Sequence, residues 1–181
     1  MSTYQPGTEF PVDADPADAE PTKHDKGELD TPSEHARAVS DLVFMRLEFH
    51  LCAINRWTGE LAWSHSPSFF GGKSVSTFIR AGDRLFVLGN GFCMAMNAMS
   101  GRTIWEASGL KSGFAQSRGS LMLDGDRLIA SLCGYLTALD PETGDVLWKN
   151  NLKGFGEGHS ELVSGRDPNA PCGSSGTTGL I

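Results

Sequence analysis

Short apolar runs alternate with polar turns through most of the chain between residues 42 and 164. Glycine, asparagine or aspartate separates the runs about every ten residues, a pattern that is typical of short β-strands. We predict strands at residues 42–47, 50–55, 61–64, 75–80, 84–88, 92–97, 103–107, 119–123, 127–132, 135–140, 146–149 and 160–164. No apolar run approaches the length that crosses a bilayer. The pattern therefore predicts an all-β fold.

Three segments of the chain are near copies of one another: residues 53–63, 95–105 and 138–148. Their closing tryptophans, Trp63, Trp105 and Trp148, are 42 and then 43 residues apart. A fixed period of this size is the mark of a repeat architecture. We expect all three rings to be buried at equivalent positions, and Trp57, which falls in a turn, to be exposed.

Each copy contains the same turn before its last strand. An asparagine or aspartate opens the turn and a glycine four positions later closes it: Asn55 and Gly59, Asn97 and Gly101, Asp140 and Gly144. The side-chain oxygen at the first position can accept hydrogen bonds from backbone N–H groups within its own turn. Glycine supplies the positive φ that a hairpin of three to five residues needs.

The repeated unit resembles the PQQ-like β-propeller repeat of the pyrroloquinoline quinone dehydrogenases, over residues 41–164. The pattern A-L-D-x-x-T-G-x-x-L-W fits residues 138–148 closely. The first two copies have asparagine in place of aspartate, and the second also has serine in place of threonine. The resemblance implies about three four-stranded propeller blades, with each tryptophan packed between neighbouring blades.

Composition divides the chain into three parts. Residues 1–38 carry nine acidic side chains against Lys23, Lys26 and Arg37, and most of the net charge of −7 lies there. Few large apolar groups accompany them, so we predict a disordered acidic arm. Residues 39–164 form the repeat domain, and residues 165–181, rich in glycine, serine and threonine, are predicted to be a disordered tail. The acidic balance argues against nucleic acid as a partner.

No catalytic or metal-binding constellation stands out in the sequence. The four cysteines include no C-x-x-C pair, and no two of the five histidines share a metal-ligand spacing with cysteine or carboxylate. Residues 71–74 end like a P-loop, but Pro67 stands where its first glycine belongs. We therefore predict no catalytic residues, no metal and no cofactor. Quinone-dependent dehydrogenases, by resemblance, need a full eight-bladed ring, a calcium ion and adjacent cysteines.

The function that we predict is a non-enzymatic scaffold or protein-interaction module. The alternative is a small-molecule-binding or accessory subunit of a larger complex, which uses the channel of an assembled propeller; a quinone-dependent enzyme is a third class. The first residues, 1–15, lack the basic and apolar regions of a signal peptide, so we expect a cytoplasmic protein without membrane insertion.

Counting strands predicts how the ring is completed. The first unit has three strands, the next two have four each, and residues 160–164 would form the first strand of a further blade. Closed propellers need about four to eight blades, so three do not close alone. We predict a homodimer that makes one six-bladed ring, with Ser160, Leu162 and Val163 as oligomer contacts. The alternatives are a different protein partner that supplies the missing blades, or a larger ring.

Overall fold

The fold consists almost entirely of antiparallel strands. The computed structural model describes residues 38–47, 50–66, 75–110, 119–154 and 160–166, and the backbone of residues 172–174. A 3-10 turn, Val39–Asp41, directly precedes the first strand. The strands are β1 Leu42–Leu47, β2 His50–Asn55, β3 Leu61–His65, β4 Val75–Ala81, β5 Arg84–Gly89, β6 Phe92–Asn97, β7 Thr103–Ser108, β8 Ser120–Asp124, β9 Arg127–Leu132, β10 Tyr135–Leu139, β11 Val146–Asn150 and β12 Cys172–Ser174.

These strands form three sheets, which are the blades of a β-propeller. Blade 1 is β1-β2-β3, blade 2 is β4-β5-β6-β7, and blade 3 is β11-β10-β9-β8 with β12 added beyond β8. Consecutive strands pair antiparallel in every blade because tight turns join them. The predicted all-β propeller fold is confirmed, and the predicted strands in residues 42–149 recur with ends that differ by at most one residue.

The strand registers give the structural equivalence of the three blades. Leu42 lies opposite Asn55 in blade 1, and Arg84 lies opposite Asn97 in blade 2. Each of the last hairpins has an irregularity one or two residues before its turn, at Ala53/Ile54, Ala95/Met96 and Ala138/Leu139. Blade 1 therefore contains the second, third and fourth strands of a blade, and its first, innermost position is not filled by any described strand.

The core lies between the blades. One cluster joins blade 1 to blade 2 and includes Leu51, Trp63, Leu85 and Met94. A second cluster joins blade 2 to blade 3 and includes Phe86, Cys93, Leu121 and Leu128. Both faces of blade 2 are covered, so its central strands read as nearly continuous apolar runs rather than as alternating ones.

Residues 160–166 lie alongside β8, the first strand of blade 3, but do not themselves form a strand. Ser160 Oγ lies 3.2 Å from Ser120 Oγ, and Ser164 Oγ donates to Asp124 Oδ1 at 2.7 Å. Leu162 packs between them against the outer face of blade 3. The predicted strand at residues 160–164 is therefore wrong: the segment lies where the first strand of a fourth blade would lie, but no described strand is beside it to form a ladder.

The chain's last described segment differs from the prediction of a disordered tail over residues 165–181. The backbone of Cys172–Ser174 pairs antiparallel with β8, with Gly173 opposite Leu121. This short strand makes blade 3 five-stranded and lies near β4, beside the first strands of blades 2 and 3. The predicted acidic arm, residues 1–38, falls outside the described residues except for Ala38.

Candidate functional site

Each internal blade junction is built around one tryptophan ring and one glycine turn. Trp63 of blade 1 is fully buried, and its Nε1 donates to the Ala98 carbonyl of blade 2 at 3.0 Å. The ring lies directly against Gly101, where a Cβ would stand 2.7 Å from Trp63 Cδ2. Only glycine leaves room for the ring at this place, so the repeated glycine serves the packing between blades as well as the turn.

The junction between blades 2 and 3 repeats this arrangement. Trp105 Nε1 donates to the Pro141 carbonyl at 3.0 Å, and a Cβ on Gly144 would stand 2.5 Å from Trp105 Cε3. Arg84 adds two contacts to the same turn: Nη1 donates to the Pro141 carbonyl at 3.0 Å, and Nη2 pairs with Glu142 at 2.6 Å. At both junctions, therefore, a tryptophan ring contacts the turn of the following blade. At this junction Arg84 contacts the same turn.

The three repeated turns share one hydrogen-bonding scheme. In each, the side-chain oxygen of the first residue accepts two backbone N–H groups, and the glycine N–H donates to the carbonyl of that first residue. The glycines have φ between 67° and 80°. The first residues and glycines are Asn55 and Gly59, Asn97 and Gly101, and Asp140 and Gly144.

The two ends of the arc lack this packing. Trp148, the equivalent ring of blade 3, is 41% exposed, and its Nε1 has no acceptor among the described residues. Gly59, the equivalent glycine of blade 1, has nothing within 4 Å of an added Cβ. The expectation of a largely buried ring is therefore wrong for Trp148, while Trp105 is half-buried and Trp57 is 74% exposed. A tryptophan is covered here by the blade that follows it.

Blade 1 also presents an uncovered apolar face, which we call the start face and define by Val43, Met45 and the turn 55–59. Val43 and Met45 are 52% and 42% exposed. Their register equivalents in blade 2, Leu85 and Val87, are fully buried against blade 1. We call the opposite surface of the arc the end face and define it by Trp148, which is exposed, and by Ile129, which Leu162 of the same chain covers. Two unlike, apolar surfaces therefore bound the arc.

The described residues offer no donor set for a metal. They contain no group of three or more His, Cys, Asp or Glu side chains that could hold an ion. Cys52, Cys93 and Cys133 are separate, buried thiols, and burial raises the pKa of Cys93 to about 12. Thiols of this kind are poor nucleophiles and ligands. The described residues thus do not fit the calcium and quinone site that the resemblance to quinone-dependent dehydrogenases implies.

The remaining chemical features of the described residues also fall short of a substrate site. A cavity of ≈10 Å³ between blades 2 and 3 has room for about one water molecule. Burial lowers the pKa of His65, which is half-buried rather than facing solvent, and His50 is exposed. No helix in the described part of the chain is long and apolar enough to cross a membrane. The P-loop-like residues 71–74 lie outside the described residues.

The repeat and its blade junctions match a known family. The family model described as "Outer membrane protein assembly factor BamB" (PQQ_2) matches residues 22–176. The chain belongs to this family. The match begins within the predicted acidic arm and continues through all three blades, so the PQQ-like repeat inferred from residues 138–148 is confirmed as the architecture of the chain.

Individual relatives of this family member include enzymes. Subunit 1 of methanol dehydrogenase [cytochrome c] from Methylobacterium organophilum is 34% identical over 111 residues, which is 60% of this chain and 17% of that protein. The same subunit from Methylorubrum extorquens is 33% identical over 111 residues. The chain spans about a sixth of the length of these curated relatives. The activity in their names is therefore that of much longer proteins.

The chain also resembles solved structures at low sequence identity. A computationally designed protein, Ika8, covers 74% of this chain and 42% of its own, with a TM-score of 0.53 and 14% identity. BamB from Moraxella catarrhalis covers 60% of this chain and 32% of its own, with a TM-score of 0.43 and 24% identity. The first of these likenesses supports the fold alone.

The sequence predicted the ring and turn residues. It did not predict that they pack against each other at the two internal blade junctions and stay uncovered at the two ends of the arc. The signal that could have found it is the order of the repeats. Because Trp63 is covered by the turn of the next repeat, the last ring, Trp148, has no following turn among the described residues. Of the predicted oligomer contacts, Ser160 and Leu162 touch blade 3 of their own chain, and Val163 is 89% exposed.

Proposed function

We propose that the chain is a non-enzymatic β-propeller module that binds protein through its open blade ends and completes a ring by homo-oligomerisation. The observation that carries this proposal is the pair of apolar surfaces that no blade covers among the described residues, the start face with Val43 and Met45 exposed and the end face with Trp148 exposed. Isolated apolar side chains at a surface are ordinary, but a contiguous apolar face marks an interaction site. A six-bladed ring of two copies covers both faces of each chain at once.

The chemistry of the described residues supports a binding role rather than catalysis. They provide buried thiols, a water-sized cavity and no clustered metal donors. The family's printed description, an assembly factor, is also that of a protein that acts on other proteins. A cytoplasmic location remains part of the proposal and is tested by fractionation of cells that express the full chain.

The alternative proposal is an accessory or small-molecule-binding subunit of a larger complex. The methanol dehydrogenase relatives favour it, because the protein that 111 residues of this chain match is named as a subunit of an enzyme. In this alternative a different protein, rather than a second copy, covers the two end faces, and a ligand site forms only in the assembled channel.

Native mass spectrometry of the protein purified from its own cells tests the two proposals. A homo-oligomer that is a multiple of 19.4 kDa supports the ring of identical chains. A stoichiometric foreign chain would instead support the accessory subunit.

A parallel dye-reduction assay, with added pyrroloquinoline quinone and calcium and with simple alcohols as substrates, tests the hypothesis that the protein is a quinone-dependent enzyme. Turnover well above the boiled control would overturn the non-enzymatic proposal.

A further inference from the structure

The end face and the start face carry the two halves of the contact that joins neighbouring blades. At both internal junctions a tryptophan ring covers a glycine and its Nε1 donates to the carbonyl of the residue after the turn's Asn or Asp. Trp148 is a ring without such a turn, and Gly59 is a turn glycine without such a ring. The carbonyl that corresponds to Ala98 and Pro141 in blade 1 is that of Arg56.

We infer that the end face binds the start face of a second copy of this chain, with the Trp148 ring against Gly59 and Trp148 Nε1 donating to the Arg56 carbonyl. This inference rests on the proposed function and specifies its interface. The occupant is a second copy because the start face already has the turn geometry, the open glycine and the free apolar strand that the end face requires. An unrelated partner would need the same turn, glycine and apolar strand to bind the end face in this way.

A second position at the junction fits the same pairing. In the junction of blades 2 and 3 it is filled by Arg84 and Glu142, an ion pair, and in the junction of blades 1 and 2 by the apolar Leu42 and Met99. On the end face the equivalent of Arg84 is Arg127, one residue before the Leu128–Leu139 pair. On the start face the equivalent of Glu142 and Met99 is Trp57. The guanidinium carbon of Arg56 already lies 5.0 Å from the centroid of the Trp57 ring, and Arg127 would add a second cation–π contact to this indole, which is 74% exposed.

The apolar strand β1 receives the rest of the end face. Val43 and Met45 correspond to Leu128 and Ala130 of blade 3, which are buried against blade 2. Contact with the exposed Trp148 ring would bury them in the same manner. In the described structure the unlike ends of one chain do not meet, so this contact is made between chains.

Residues 160–166 complete the arrangement. They lie along β8 at the position of the first strand of the next blade, held by the Ser160 and Ser164 hydroxyl groups. Blade 1 lacks that first strand among the described residues, and β1 pairs only with β2. The segment would therefore lie beside β1 of the second copy and add a fourth strand to its blade 1, as in other cases of strand addition.

Light scattering on the full chain, over a dilution series, tests the inference with matched glycine variants. Gly59→Asn adds a side chain where the Trp148 ring must lie, and asparagine tolerates a positive φ. Gly82→Asn is the control, because Gly82 also has a positive φ, nothing within 4 Å of an added Cβ, and no place at either face. We expect the dimer dissociation constant to rise at least ~tenfold for Gly59→Asn, about 1.4 kcal/mol, and to change little for Gly82→Asn.

Trp148→Ala and Arg127→Glu provide the same test without touching a turn, should Gly59→Asn fail to fold. Oxidative footprinting with mass spectrometry adds a direct readout: Trp148, Trp57 and Met45 should become protected as the concentration rises, whereas Ile104, exposed on β7, should not. A dimer that is unaffected by these variants, with Trp148 still reactive, overturns the inference and leaves the proposed self-association standing. A monomer at every concentration overturns both.

Discussion

Replacing each tryptophan with alanine separates the covered rings from the uncovered one. Trp63 is fully buried and hydrogen-bonded to the Ala98 carbonyl, so Trp63→Ala should cost about 3–5 kcal/mol of unfolding free energy, as for a buried aromatic residue. Loss of the indole N–H also leaves that carbonyl without this donor. Trp148 is 41% exposed, so Trp148→Ala should cost less, ~2–3 kcal/mol, since the transfer free energy scales with the buried area.

Trp57→Ala is the control for the series. Its ring is 74% exposed, and substitution there should change stability by no more than ~0.5 kcal/mol. Urea denaturation followed by far-UV circular dichroism should be carried out at protein concentrations where light scattering gives a monomer. A cost for Trp148→Ala equal to that for Trp63→Ala in the monomer would contradict the argument that the following blade is what buries each ring.

Three further predictions concern the junction glycine, a histidine and a thiol. Gly101→Ala should cost about 1–3 kcal/mol more than Gly82→Ala in urea denaturation, because both have positive φ but only Gly101 lies against a ring. The lowered pKa of His65 means that the unfolding free energy should fall as the pH drops below 6.5 toward the folded-state pKa, and His65→Gln should remove this dependence in denaturation at about pH 8 and pH 5.5. Cys93, with a pKa raised to about 12, should resist iodoacetamide at about pH 8 in the native protein and react once it is unfolded. Equal denaturant midpoints for the two glycine variants, an unchanged slope in His65→Gln, or rapid native labelling of Cys93 would each contradict its prediction.

The three blades could be predicted from the sequence because their signals are local. The turn at Asn97 is made by its own side chain and by the N–H groups two and three residues later, with Gly101 closing it. Those bonds need nothing from other blades, so the residue pattern alone determines the hairpin and the ends of its strands. The period of the tryptophans then gives the number of blades.

What the tertiary structure alone decided is which of these equivalent residues are covered. Trp63 and Trp148 hold the same position in their repeats, yet one is buried and the other is 41% exposed, because burial depends on a turn supplied by a neighbouring blade. The same reason explains residues 160–164, which were predicted as a strand: a strand needs a ladder partner, and no described strand pairs with this segment, which packs on the face of blade 3. Turn chemistry is encoded within a few residues, whereas burial and strand pairing are completed only by contacts between blades.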